Sequence, residues 1–184
     1  MADMIDFDVV MPKGNEEKFL DVASRLGYGT IVFLTEDVNY KISENIRNDS
    51  RIKIKTAFLL KQTSQINIAR KKFDYIFAGA DRQFFESDVD FIVGLEDSLR
   101  ADSFHYKSTS LNQVHAELAK KNNITLAFDF GQLPINVFTM LGRMMQNAKL
   151  VRKYKLSHAT FSFARTPSEM ISKATLDALD KELF

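Results

Sequence analysis

The chain has 184 residues, 45% hydrophobic and 27% charged, a balance that excludes disordered and fibrous classes and suits one globular domain over residues 1–184. It has no cysteine, which excludes disulfides and thiolate metal sites and points to a reducing compartment. Its net charge of +1 does not mark a nucleic-acid binder, and no stretch is long and uncharged enough to span a bilayer.

The first residues, Met1-Ala2-Asp3-Met4-Ile5-Asp6, lack the basic and then apolar pattern of a secretion signal, so a cytoplasmic location away from membranes is expected. An apolar run over 4–10 predicts the first strand, with Asp6 and Asp8 two apart and therefore on one face. A helix is predicted over 16–26, then a strand over 28–35 whose Ile31-Val32-Phe33-Leu34 is apolar on both faces, as in a parallel strand covered on each side. A short helix over 42–48 leads to a strand over 53–60, where Lys53-Ile54-Lys55 alternates and predicts partial exposure. Helix 64–72, strand 73–78, helix 82–87 and strand 89–95 follow. The loop 107–110 precedes a helix over 109–122 and a strand over 124–130.

The longest helix is predicted over 134–154, with Pro134 at its first turn. A strand over 159–163 and a helix over 168–183, begun by Pro167-Ser168, complete the chain. Strand and helix alternate throughout, and right-handed crossovers turn that order into a parallel sheet. Seven βα units in 184 residues are short. They fit a TIM-barrel-like (β/α) barrel of about seven parallel strands, compact or incompletely closed, better than an open doubly wound sheet.

Charge is unevenly spread. Residues 1–106 carry 14 Lys/Arg against 18 Asp/Glu, residues 107–165 carry 9 against 2, and residues 166–184 carry 2 against 4, giving −4, +7 and −2. The middle block offers a polyanion a landing surface despite the neutral total. On charge alone, a solvated lysine-rich helix face explains it equally well. At 100° per residue, Val137, Leu141, Met144, Ala148 and Val151 form the core stripe of the long helix. Arg143, Gln146, Lys149 and Lys153 then fall on the opposite side, a basic face suited to a phosphate backbone or, taking the helix by itself, simply an ordinary wet helix surface.

In a barrel of this kind the loops after the strands gather at one rim. There the chain places Glu36, Asp37, Lys61, Asp81, Arg82, Glu96, Arg100, Asp129 and Arg165. Lys61, Arg82, Arg100 and Arg165 are candidates for a ring of phosphate contacts, or simply loop surface charge.

No catalytic or metal-binding constellation stands out. The three histidines, His105, His115 and His158, form no ligand pair by spacing, and Gly27-Tyr28-Gly29 precedes a strand rather than opening a helix. Most of the 16 phenylalanines lie in strands and read as core. Phe84, Phe85 and Phe104 are the looser cases, also expected to pack.

From Leu111-Asn112-Gln113-Val114 through Ser162, the order of features resembles the archaeal and eukaryal ribonuclease P protein component 3 family, the thirty-kilodalton subunit. The matching segments are Val89-Asp90-Phe91-Ile92, Val114-His115-Ala116-Glu117-Leu118-Ala119 leading through Lys120-Lys121-Asn122 into Leu126-Ala127-Phe128, the helix Leu141-Gly142-Arg143-Met144-Met145-Gln146-Asn147-Ala148-Lys149-Leu150-Val151-Arg152-Lys153-Tyr154, then Phe161-Ser162-Phe163-Ala164 and Glu169-Met170-Ile171-Ser172. They cover the second half; the first half agrees in architecture only.

The resemblance implies a barrel related to a phosphoesterase superfamily but without its metal ligands. Its implied partners are ribonuclease P RNA, protein component 2 and, through the holoenzyme, precursor tRNA. Cleavage of the 5′ leader, with magnesium, would belong to the RNA, and no cofactor to the protein. Arg143, Lys149, Lys153 and Arg165 are RNA-binding candidates from the matched segments; Lys61, Arg82 and Arg100 come from the barrel reading alone. Two alternatives stand beside this: a magnesium-dependent phosphoesterase using Asp6, Asp8 and rim carboxylates, and a protein-interaction scaffold whose basic block meets an acidic partner.

Overall fold

The computed structural model describes residues 6–47, 51–97, 102, 107–133 and 137–184. Among these residues, seven parallel strands form one sheet in the order β1-β2-β3-β4-β5-β6-β7: β1 Phe7–Val10, β2 Thr30–Thr35, β3 Lys53–Leu60, β4 Tyr75–Gly79, β5 Phe91–Val93, β6 Thr125–Asp129 and β7 His158–Phe161. Sequential neighbours with parallel pairing require a helix or loop to return the chain after every strand. The returns include α1 Glu16–Arg25, α2 Glu44–Arg47, α3 Ile66–Ala69, α4 Arg82–Phe85, α5 Gln113–Lys121 and α6 Val137–Tyr154, with α7 Lys173–Leu183 after the last strand. No described helix is long and apolar enough to cross a membrane.

The sheet closes on itself. Val10 pairs with Ala164 in a parallel bridge, and Met11 N–H donates to Ala164 O at 2.8 Å. Asp8, fully buried, completes the seam: its Oδ1 accepts from Ser162 N at 2.8 Å and its Oδ2 from Ser162 Oγ at 2.6 Å. Oδ1 also accepts from the N–H of Val9 at 2.9 Å. Asp6 and Asp8 share a face as expected, but it is the outer one. Asp6 meets Lys173 of α7 at 3.2 Å, so the pair lies away from the barrel mouth and offers no carboxylate pair for a rim metal.

Strand alternation divides the apolar residues into two cores. One is built from strand residues alone, including Val9, Val32, Phe77, Phe91 and Phe161, with Phe7, Tyr75 and Phe163 packed against it. This is the barrel interior, filled by rings: Phe77 on Phe91 at 4.5 Å and Phe7 on Phe161 at 5.4 Å between centroids. The other joins strands to helices through residues such as Phe19, Phe33, Phe85, Phe128 and Met144. Phe84 and Phe85 are 2% and 0% exposed, core as expected, and Phe104 lies outside the described residues.

Several elements are shorter than the apolar runs suggest. The run 64–72 gives a 3-10 turn, Thr63–Gln65, and one α turn, Ile66–Ala69. The helix expected over 168–183 is broken: Pro167–Glu169 is a separate 3-10 turn, and α7 starts after Ser172, whose hydroxyl accepts from Thr175 N–H. Met170 is extended, with ψ 136°, which ends the first turn before a helix can propagate.

Candidate functional site

The C-terminal ends of the strands surround a cavity of about 230 Å³, lined by Met11, Leu34, Leu59 and Phe163 on its apolar side and by Glu36, Glu96, Asp97, Asp129 and Arg165 on its polar side. Phe163 reaches this wall in the left-handed region, φ 45°, a conformation unusual for an aromatic residue. Its two neighbours explain the constraint, since Ser162 is held by Asp8 and Ala164 by Val10. Gly131 is also fixed by the closure: a β-carbon there would stand 2.1 Å from the backbone oxygen of Ser162.

The mouth is acidic, and two of the rim cations, Lys61 and Arg82, are paired with carboxylates. Lys61 Nζ lies 2.7 Å from Glu36 and Arg82 Nε lies 2.9 Å from Glu86 one turn along α4, while at Arg165 it is the backbone N–H that donates to the Glu169 carboxylate, at 2.8 Å. Arg100 lies outside the described residues. Burial pushes the Glu96 carboxyl up to about 7, against the hydrogen bond from Asn147. Burial likewise pushes Asp129 up to about 6. No group of three or more acidic or histidine residues among the described ones has metal-holding geometry.

On α6 the sequence reading separates into two parts. Arg143 is not on a solvent face: it is 9% exposed, and its guanidinium donates to Glu96 O at 2.8 Å and to Asp102 at 3.1 Å. Gln146 is held too, exchanging hydrogen bonds with Lys107 N–H and C=O at 2.8 and 2.6 Å. The helix therefore presents Arg143, Met144, Asn147, Ala148 and Val151 inward, a buried stripe shifted from the apolar one. The shift arises because Glu96, Asp102 and Lys107 offer polar partners where a purely apolar wall is expected. Val137, assigned to the core stripe, is 45% exposed, and Phe138, which the sequence reading passed over, is 90% exposed. Lys149 and Lys153 are exposed as expected. Lys153 Nζ sits 5.2 Å from the Tyr154 ring centre.

A second grouping lies at the opposite rim. α5 ends in Lys120 and Lys121, α6 ends near Lys149, Arg152 and Lys153, and Lys155 follows; all are exposed. Arg152 reaches sideways and donates to the backbone oxygen of Leu183 at the end of α7. Lys120, Lys121 and Lys155 are not among the candidates that the sequence offers, and Lys120 and Lys121 stand in the last turn of a helix, where charge complementing the dipole is ordinary.

Fold and site together define a parallel β/α barrel with an acid-lined mouth and a lysine-rich opposite rim. No protein-family model and no curated protein matches the sequence. Among solved structures, the chain is similar to one from the cryo-EM structure of archaeal ribonuclease P with mature tRNA, with a TM-score of 0.72 and 17% identity, covering 96% of this chain and 82% of that chain. At that identity the likeness is one of fold.

Proposed function

We propose that the chain is an RNA-binding protein subunit of ribonuclease P, of the component 3 type, acting in the cytoplasm in removal of the 5′ leader from precursor tRNA. The observation that carries this reading is the barrel's likeness, over 96% of its length, to a chain of the archaeal ribonuclease P complex. The resemblance of the second half of the sequence to component 3 points to the same assembly. In this reading the RNA supplies the cleavage chemistry and uses magnesium. The protein, together with component 2, lowers the repulsion between phosphates that a compact RNA fold brings together, and its contacts are to backbone rather than base edges. Lys149 and Lys153 are the candidates whose position suits such contacts; Lys61, Arg82 and Arg165 are each beside a carboxylate.

The test is reconstitution. Cleavage of precursor tRNA by the organism's ribonuclease P RNA with component 2 is measured with and without this chain across magnesium concentrations. The chain is expected to raise the rate and lower the magnesium required. No change in rate, magnesium requirement or RNA affinity refutes the reading.

A further inference from the structure

We propose that the side-by-side C-terminal ends of α5 and α6, at the rim opposite the mouth, form the surface on which the RNA phosphate backbone lies. This rests on the subunit reading above. The arrangement follows from topology: β6 and β7 are adjacent and parallel, with Leu126 opposite His158. α5 ends at Lys121 before a strand that starts at Thr125, and α6 ends at Tyr154 before one that starts at His158. Equal connections to adjacent strands put the two helix ends level with one another. Packed helices lie about 8–10 Å apart, so the lysines of the two ends form one field.

The two ends are also built alike. Ile124 N–H returns to Ala119 O at 2.9 Å and Leu156 N–H to Val151 O at 3.0 Å, the six-to-one closure of a Schellman motif. Ile124 and Leu156 are buried beneath. The residues before them, Asn123 and Lys155, have φ of 55° and 54°. Asparagine tolerates that region; lysine does so only at a cost, where glycine would sit freely.

Five exposed lysines crown this paired end: Lys120, Lys121, Lys149, Lys153 and Lys155. From residue 137 to residue 157 there is no Asp or Glu, and α5 holds only Glu117, which accepts from Gln113. Among the described residues, the structure gives no ion pair to any of the five. The helix dipole accounts for cations in a last turn, and its influence fades beyond that turn. It leaves unexplained Lys149, more than a turn before the end of α6, and Lys155, a charge placed in strained backbone. A lysine field without ion pairs matches a polyanion of regularly spaced charges, and the guanidinium beside it, Arg152, is turned to the backbone oxygen of Leu183 rather than standing clear as a fork that reads base edges. The contact is therefore with backbone and independent of sequence.

The experiment uses the full chain reconstituted with the other ribonuclease P proteins of its organism, and that organism's ribonuclease P RNA as the probe. Lys120, Lys121, Lys149, Lys153 and Lys155 are changed together to Gln, and a control carries Lys61→Gln, Arg82→Gln and Arg165→Gln. The five-lysine variant should bind the RNA on the order of tenfold or more weakly, with a salt slope flatter by about 0.7–0.9 per lost contact; the control should stay within about twofold. Lys155→Gly separates structure from contact. It should raise the melting temperature by about 2–4 °C through release of backbone strain while weakening RNA binding, whereas a purely structural role would move both together. If the wild type binds and the five-lysine variant matches it in affinity and slope, the surface is wrong. The same holds if the control carries the loss, or if the variant loses only its affinity for poly-glutamate, which would assign the field to an acidic protein. If the wild type itself neither binds this RNA nor aids cleavage, the subunit reading falls first.

Discussion

Barrel closure depends on a buried carboxyl, and Asp8 allows that dependence to be measured. Asp8→Ala removes the three hydrogen bonds from Ser162 N, Ser162 Oγ and Val9 N. Buried groups left without partners cost about 1–3 kcal/mol each; with partial relaxation the expected loss is about 3–5 kcal/mol. Asp8→Asn keeps an oxygen for the two N–H donors and turns an amide toward Ser162 Oγ, so near pH 5 it should fall within about 1 kcal/mol of wild type.

Burial raises the Asp8 carboxyl from 3.8 to about 6, so the folded state holds this proton more tightly than the unfolded chain. The group's contribution to stability is fully present below pH 3.8, declines as pH rises toward about 6, and is flat above. From about pH 5 to about pH 7.5 this lowers wild-type stability by about 1.4 kcal/mol, a change absent from Asp8→Asn. Glu96 and Asp129 shift in the same sense but are common to both proteins and cancel in the difference. Urea unfolding followed by far-UV circular dichroism at the two pH values gives both numbers. The reasoning is refuted if Asp8→Ala is as stable as Asp8→Asn, or if Asp8→Asn keeps the wild-type pH dependence.

Arg143→Ala should destabilise by about 1–3 kcal/mol, because it leaves the buried backbone oxygen of Glu96 without its guanidinium donor; under conditions where the variant is folded, its RNA affinity in a filter-binding titration should stay within about twofold of wild type. Gly131→Ala forces a β-carbon to 2.1 Å from Ser162 O, a backbone contact that must yield. Thermal unfolding should show a loss of about 3 kcal/mol or more. Ser172→Ala removes the N-cap of α7 and should cost about 1 kcal/mol by the same measurement.

Strand positions and their parallel character were legible because fully covered strands are apolar on both faces, and runs such as Ile31-Val32-Phe33-Leu34 admit little else. The alternation of runs with helical segments carried the barrel architecture. Helix boundaries were less legible where a local backbone choice, such as extended Met170 or the 3-10 turn at Thr63–Gln65, overrode a continuous apolar period. The sequence by itself determined that a seven-strand β/α barrel would form and that residues 107–165 would concentrate its positive charge, since both follow from the linear order of residue types. Only the tertiary structure decided where that charge could act: a guanidinium at Arg143 reads as surface on a helical wheel until Glu96 and Asp102 are brought against it. Lys120 and Lys155 are 35 positions apart in the chain, and it is the pairing of β6 with β7 that brings their helix ends level, because proximity across a barrel is set by strand register and not by sequence spacing.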